Sequence, residues 1–368
     1  MKITAAVVHE KGGNFSYEEV DLQEPKENEI LVRMVASGIC GTDEGARQGE
    51  LPISFPTVLG HEGAGVVEKV GVLVNEFEVG DHVAFSYAFC DCCPACQSGQ
   101  YTHCENYIPI NFGGTATDGT TRLSRDGKEL AMFFGQSSFA TYAVVNQKSA
   151  VKIDKDIDLG LVAPMGCGIQ TGAGTVLNNL KPSVSDSIAV YGMGSVGLSA
   201  IMAAKVANCR IIIGVGGNED SLELAKELGA THTINRKKTD DLAEEIRKIT
   251  EGKGVKFAVD TSGYGPMIRQ GIKALSWQGI MAILAPHGNI ENFDVGNDIL
   301  MQMRTLRGVN EGDSVAKIFI PELLELYRKG LFPLDKIIRY YKFEEIEKAI
   351  EDSKSGRVIK AVIRISEQ

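Results

Sequence analysis

Four cysteines within fifteen residues, Cys90-x2-Cys93-x2-Cys96-x7-Cys104, carry the sharpest chemical signal in this chain. Thiolates at such short spacing suit a closed tetrahedral zinc site. The surrounding lobe, about 88–106, is too small for a core of its own, so a zinc there would be structural and would pin the loop. A pair of disulfides is the other chemistry open to four thiols. It fits poorly with a chain whose start, MKITAAVVHEKGG, has no apolar run long enough for an export signal. Cys92 lies inside the cluster but off its regular spacing and reads as the spare.

A second set is scattered. Cys40 stands in Gly38-Ile39-Cys40-Gly41-Thr42-Asp43, His61 in Gly60-His61-Glu62-Gly63, and Cys167 in Pro164-Met165-Gly166-Cys167-Gly168. Each alone would more often be a core cysteine or a hydrogen-bonded histidine. Together they offer two thiolates and one imidazole, among glycines that allow close backbone approach. Three protein ligands with a fourth position open is the catalytic form of a zinc site. Asp43 and Glu62 adjoin these ligands and are suited to orient His61 or tune the charge on the metal.

The third constellation is Gly192-Met193-Gly194-Ser195-Val196-Gly197, a G-x-G-x-x-G that follows an apolar strand and opens an apolar helix. In that context it reads as a dinucleotide fingerprint. Gly192 would make the tight turn, Gly194 would admit the pyrophosphate, and Gly197 would let helix and strand pack. Ser195 and Val196 open the helix, whose free N–H groups favour an anion. A glycine-rich turn with no ligand is the plain alternative. An NAD site usually places an acid about 20 residues on, at the end of the second strand. Here that position is Gly216, followed by Gly217 and Asn218. A glycine removes the carboxylate that would repel a 2′-phosphate and is expected to leave room for one. Arg236, with Lys237 and Lys238, could supply cations, although an ordinary solvated loop would look the same. The reading therefore favours NADP over NAD.

The elements that must position these groups fall into two kinds. The first ~160 residues are β-rich, with strands expected at 30–40, 63–71 and 82–89. From about residue 167, apolar β runs at 187–191, 210–215, 257–260 and 279–284 alternate with helical patterns at 220–228 and 242–249, which implies βαβ units and a parallel sheet. A helix at 318–329 and a strand at 358–365 close the chain. The uncharged stretch 188–204 is shorter than the ~20 residues a membrane span needs and is broken by three glycines, so it reads as a buried strand and helix. The 368 residues suggest two domains. A net charge of −10 speaks against nucleic acid as a partner. The compartment expected is the cytoplasm.

With these motifs the chain resembles the zinc-dependent alcohol dehydrogenases of the medium-chain dehydrogenase/reductase superfamily, along its whole length. Within them it is most similar to the aryl-alcohol (benzyl-alcohol) dehydrogenases, on the runs Phe133-Phe134-Gly135-Gln136-Ser137-Ser138-Phe139-Ala140-Thr141-Tyr142 and Gly166-Cys167-Gly168-Ile169-Gln170-Thr171-Gly172-Ala173-Gly174. The resemblance implies an α/β chain with a GroES-like β-rich catalytic domain at 1–168 and 306–368, and a Rossmann doubly wound parallel sheet at 169–305. It implies two zinc ions per subunit, the catalytic one on Cys40, His61 and Cys167 with Glu62 behind it. It also implies Thr42 as the hydroxyl that takes the substrate proton, Lys360 near the pyrophosphate, and a homodimer or homotetramer. The expected reaction interconverts a hydrophobic alcohol, aryl or allylic, and its aldehyde. A terpenoid, cinnamyl or polyol dehydrogenase using NAD, or a non-catalytic dinucleotide-binding protein, are the alternatives. Many relatives carry a histidine that ends a proton relay; the matching position here is Gly45, so the relay must leave through the cofactor ribose or water.

Overall fold

The structure is a computed structural model that describes residues 1–285 and 289–368. Two compact units divide the chain. One comprises Met1–Gly168, Val315–Glu322 and Leu334–Gln368; the other comprises Ile169–Ser314 and Leu323–Pro333.

The first unit is built on antiparallel sheets. Its central strand, Glu29–Gly38, is buried at nine of its ten positions, and its partners are Gly63–Val70, Tyr142–Asn146 and the C-terminal strand Lys360–Arg364. A strand packed on both faces needs an apolar run rather than an alternating one, and ILVRMVASG supplies it. The strand expected at 82–89 spans only His82–Phe85. Its neighbour Ala150–Ile153 runs out opposite Phe85, and from Ser86 onward the chain turns into the four-cysteine lobe.

A buried ion pair ties the start of the central strand to the chain entering a strand of the unit's second sheet, Leu123–Arg125. Arg122, 1% exposed, makes two hydrogen bonds from Nε and one from Nη2 to the carboxylate of Glu29, and a further bond to Asp118 at 2.9 Å. Removing one partner of a buried pair leaves an uncompensated charge, at a cost of about 3–5 kcal/mol. Arg122→Met is therefore expected to lower stability by that amount in denaturant titrations. A loss under about 1 kcal/mol would show that Glu29 finds water or another partner.

The second unit is a parallel sheet of six strands in the order His232–Asn235, Ile211–Gly216, Ser187–Tyr191, Val255–Asp260, Leu275–Ile283, Thr305–Gly308. This is the doubly wound order 3-2-1-4-5-6. Ser187–Tyr191 is buried at every position, as a central parallel strand must be. Asn218 and Asp241 cap the helices Glu219–Leu228 and Leu242–Ile249 by accepting backbone N–H groups of the first turn. The stretch 188–204 is the strand and helix its glycines suggested, and no described helix is long and apolar enough to cross a membrane.

The return from this unit to the first falls at Ser314/Val315, not at 306. Thr305–Gly308 pairs with Leu275–Ile283 as the sixth strand, and the following turn is tied back by Gln170 Nε2 and Thr171 Oγ1, both donating to Glu311. Edge pairing of this kind gives no change in hydrophobic pattern by which a sequence could mark the crossing.

Candidate active site

Cys40 lies two residues past the central strand and is the N-cap of the short helix Gly41–Arg47. Asp43, at the third position of that helix, reaches back so that its Oδ2 accepts the Cys40 N–H at 3.0 Å. This is capping-box geometry, and it explains why an acid stands three residues after Cys40. The other oxygen of Asp43 accepts the Gly60 N–H at 3.0 Å and the His61 Nδ1–H at 2.9 Å. One fully buried carboxylate thus fixes both ligand-bearing segments. Because an ionised carboxylate only accepts, Nδ1 carries the imidazole proton and Nε2 presents its lone pair.

The ligating atoms of Cys40, His61, Glu62 and Cys167 lie within 4.8 Å of one another. His61 Nε2 is buried and has no hydrogen-bond partner. A buried, unsatisfied ring nitrogen beside two sulfurs fits a zinc ion. The charges agree. A hydrogen bond from the Cys167 thiol, with His61 nearby, holds Cys40 well below the usual thiol range despite its burial. Burial opposes the imidazolium, but Asp43 and Cys40 outweigh it and hold His61 well above its ordinary value.

Burial pushes the Glu62 carboxyl up to about 7, with Lys360 pulling the other way. Its Oε2 pairs with Lys360 Nζ at 2.5 Å, and its Oε1 accepts the Gly168 N–H at 3.3 Å. Space for this carboxylate exists because residue 38 is glycine: a Cβ there would fall 1.9 Å from Glu62 Oε2. The Lys360 ammonium is held charged by Glu62 and Cys40 against its burial, and also donates to the Ile39 carbonyl at 2.9 Å. Lys360, expected near the pyrophosphate, thus has Glu62 and the Ile39 carbonyl as its partners. At 2% exposure its charge is committed to Glu62.

The His61 ring sits in an aromatic wall. Phe134 stacks on it at 4.5 Å and Phe133 meets it edge-on at 5.4 Å. Phe112 and Tyr107 pack behind Phe134. Thr42 Oγ1 is 3.6 Å from Cys40 Sγ.

The four lobe sulfurs, of Cys90, Cys93, Cys96 and Cys104, also converge within 4.8 Å, while Cys92 is exposed and outside the set. Backbone N–H groups of Cys90 and Cys93 donate to the sulfurs of Cys104 and Cys90. Burial raises the Cys90 thiol, but hydrogen bonds from the backbone of Cys92, the side chain of Asn106 and the backbone of Cys93 more than offset it and bring it down to about 5. Crowded free thiols bathed in N–H donors suit thiolate coordination, so this set fits a closed zinc site.

In the second unit, Gly192 has φ +99° and a Cβ on Gly197 would fall 1.8 Å from the Gly192 carbonyl oxygen, so tight turn and close packing both require glycine. Gly194 is exposed, with nothing within 4 Å of its Cβ direction. It is the N-cap of Ser195–Val206, and no side chain caps that helix. Uncapped N–H groups of Ser195 and Val196 behind an open glycine fit a dinucleotide pyrophosphate.

Room at Gly216 is not what the structure shows. A Cβ there would lie 2.9 Å from Met193 Cγ and 3.2 Å from Leu222 Cδ2, because the position faces packed side chains. The next position is tight as well: a Cβ on Gly217 would lie 3.2 Å from both Arg236 Nε and Lys237 Cε, so two flexible basic side chains crowd the backbone there. Asn218 is occupied as a helix cap, and Lys238 pairs with Glu219.

Comparison with known proteins agrees with this architecture. Residues 26–155 match the family model described as alcohol dehydrogenase GroES-like domain, and residues 195–328 match that described as zinc-binding dehydrogenase. A geraniol dehydrogenase of Castellaniella defragrans is 38% identical over 364 residues, covering 98% of this chain and 96% of the relative. The crystal structure of benzyl alcohol dehydrogenase from Acinetobacter calcoaceticus superposes with a TM-score of 0.95 at 43% identity, covering both chains fully. An alcohol dehydrogenase zinc-binding domain protein from Burkholderia ambifaria gives 0.96 at 43% identity, again over both whole chains. With its ligand sets and its glycine fingerprint in place, the chain belongs to the zinc-dependent alcohol dehydrogenases of the medium-chain dehydrogenase/reductase superfamily, and is an NAD(P)-dependent oxidoreductase.

Proposed function

We propose that this enzyme interconverts a hydrophobic primary alcohol, aryl or allylic, and its aldehyde, with NADP(H) preferred over NAD(H). The aromatic wall on His61 is the observation that carries the substrate class. Phe133, Phe134 and Phe112 are core side chains packed on and behind the imidazole, so the surroundings of the ligand set are apolar. A polyol would leave its hydroxyls without partners there. Relatives named for geraniol and for benzyl alcohol, one allylic and one aryl, support the same class.

Cys40, His61 and Cys167 would hold the catalytic zinc, with Glu62 and Lys360 balancing charge behind them. Cys90, Cys93, Cys96 and Cys104 would hold the structural one. Zinc supplies Lewis acidity, which for water lowers the pKa from about 15.7 to about 7 and eases loss of a hydroxyl proton in the same way. The nicotinamide supplies the hydride acceptor or donor. The chain's own residues do the rest. Asp43 keeps His61 in the tautomer that leaves Nε2 available, the phenylalanines exclude water, and Thr42 takes the hydroxyl proton and passes it on. Gly45 has no titrating group, so that proton leaves by a hydroxyl or water rather than through a side chain at 45.

The NADP preference rests on Gly217 and Arg236. Two cations crowd the backbone at the end of the second strand, where an NAD site would present an acid. Initial rates with benzyl alcohol and geraniol, with NAD and NADP in parallel, test both halves of the proposal. NADP is expected to give the higher kcat/KM. Arg236→Ala is expected to lower it by about 10- to 100-fold, the worth of a charge-assisted hydrogen bond, with NAD kinetics within about threefold of the parent. A parent enzyme that prefers NAD, or an equal loss with both cofactors, defeats the cofactor half. Turnover of polyols alone defeats the substrate half.

A further inference from the structure

The run Phe133–Phe139 has so far contributed only a wall of rings, yet its backbone is unusual. Phe134, Gly135 and Ser137 all have positive φ, at +52°, +61° and +52°. Left-handed backbone at a bulky residue persists only where its surroundings enforce it, and it gathers at functional sites. Here the surroundings are the metal-ligand segments. Ser138 N–H donates to the Gly60 carbonyl at 3.0 Å and Phe139 N–H to the Leu59 carbonyl at 3.1 Å. The turn closes on itself through Ser137, whose Oγ accepts the Phe133 N–H at 3.0 Å. Gly60 and Gly63, which flank His61-Glu62, lie so close that a Cβ on either would fall within 2.7 Å of Ser138.

At the centre of this turn is Gln136, 2% exposed. Its Oε1 accepts the Gly63 N–H and its Nε2 donates to the Ser86 carbonyl, each at 3.3 Å. The partners settle the orientation of the amide, since an N–H must meet the oxygen and a carbonyl must meet the nitrogen. Ser86 in turn donates from Oγ to the Gly166 carbonyl at 2.8 Å. Gly63 is two residues after His61, and Gly166 immediately precedes Cys167. Gln136 and Ser86 therefore form a bridge between the segments that carry two of the three proposed zinc ligands.

We propose that Gln136 is a positioning residue of the metal centre: its carboxamide, spanning Gly63 and Ser86, sets the spacing between His61 and Cys167. The proposal rests on the assignment of a metal to these ligands, and it concerns how tightly and in what geometry that metal is held. A carboxamide is the group that can accept on one side and donate on the other without bringing a charge into the site. A ligand 106 residues further along the chain has no local means of keeping its register with His61.

The test replaces Gln136 with Leu, of similar size but unable to bridge, and with Glu, which keeps the acceptor for Gly63 and loses the donor to Ser86. Catalytic zinc should leave Gln136→Leu for a chelator about 10- to 100-fold faster than from the parent, the usual effect of removing a group that orients a ligand. The lobe zinc should leave at the parental rate. In the cobalt-substituted enzyme the visible bands that report tetrahedral thiolate coordination should shift, and Gln136→Glu should fall between Leu and the parent. Arg122→Met serves as a control that loses stability without touching the centre, and its cobalt spectrum should match the parent. Parental zinc release and spectrum in Gln136→Leu overturn the proposal. Should that variant not fold, the same two readings on Gln136→Glu decide it. A parent that binds a single zinc would instead defeat the metal assignment itself.

Discussion

His61→Ala should abolish turnover, lowering kcat/KM by about 10⁴-fold or more, while zinc content falls from about two ions per chain to about one. The size follows from the metal's task. Coordination lowers the pKa of bound water by roughly 9, and if half of a comparable gain for an alcohol hydroxyl is felt in the transition state, the rate effect is about four powers of ten. His61 is the most exposed of the ligands to such a loss. Its Nε2 points at the two sulfurs, its Nδ1 is spent on Asp43, and alanine offers neither atom. The fold should survive, because Asp43 keeps its bonds to the Cys40 and Gly60 N–H groups. Metal analysis and initial rates decide the matter. A variant that keeps two zinc ions and a tenth of the parental rate would show that the imidazole is not a ligand.

Cys96→Ser should have the second largest effect, on stability rather than chemistry. Cys96 is 2% exposed in the lobe, and its sulfur lies 3.9 Å from that of Cys90. Structural zinc in small peptides contributes about 10–16 kcal/mol, although a lobe that melts on its own spares the rest of the domain part of that loss. If about 4 kcal/mol reaches the global transition, Tm falls by about 10 °C for a domain of this size. The lobe zinc should be absent, and proteases should cut within 88–106. Phe89 and Tyr101, stacked at 4.3 Å, link the lobe to the core that contains Phe133 and Phe134, so some activity should go with it. An unchanged Tm would mean that the lobe is held by packing alone.

How much of this was legible in the sequence varies with the range of the interaction. The lobe cysteines lie fourteen residues apart at most, and their spacing alone named the site. The parallel sheet was legible because its apolar runs are continuous, and Leu242–Ile249 and Ser187–Tyr191 fall where the pattern put them. The pairing of Lys360 with Glu62 was not legible. A lysine in a terminal strand carries no mark of the carboxylate it will meet, and Glu62 is 298 residues away. The space expected at Gly216 is filled by Met193 and Leu222, side chains of the fingerprint turn and of the next helix, whose approach to the strand end a one-letter string does not show. Gln136 gave no signal as a residue type. Its importance comes from two backbone partners, Gly63 and Ser86, and backbone groups are invisible in a one-letter string.

The contrast between the two sets of sulfur ligands bears on how the protein is assembled. Every thiol of the lobe has been synthesised once residue 104 is made, and closing so short a loop costs little entropy. The other centre is incomplete until Cys167 arrives and the first antiparallel sheet has formed around Glu29–Gly38. A nascent polypeptide can thus acquire its first ion while still on the ribosome and its second only after tertiary structure exists. Metal starvation during growth would then deplete the two positions unequally.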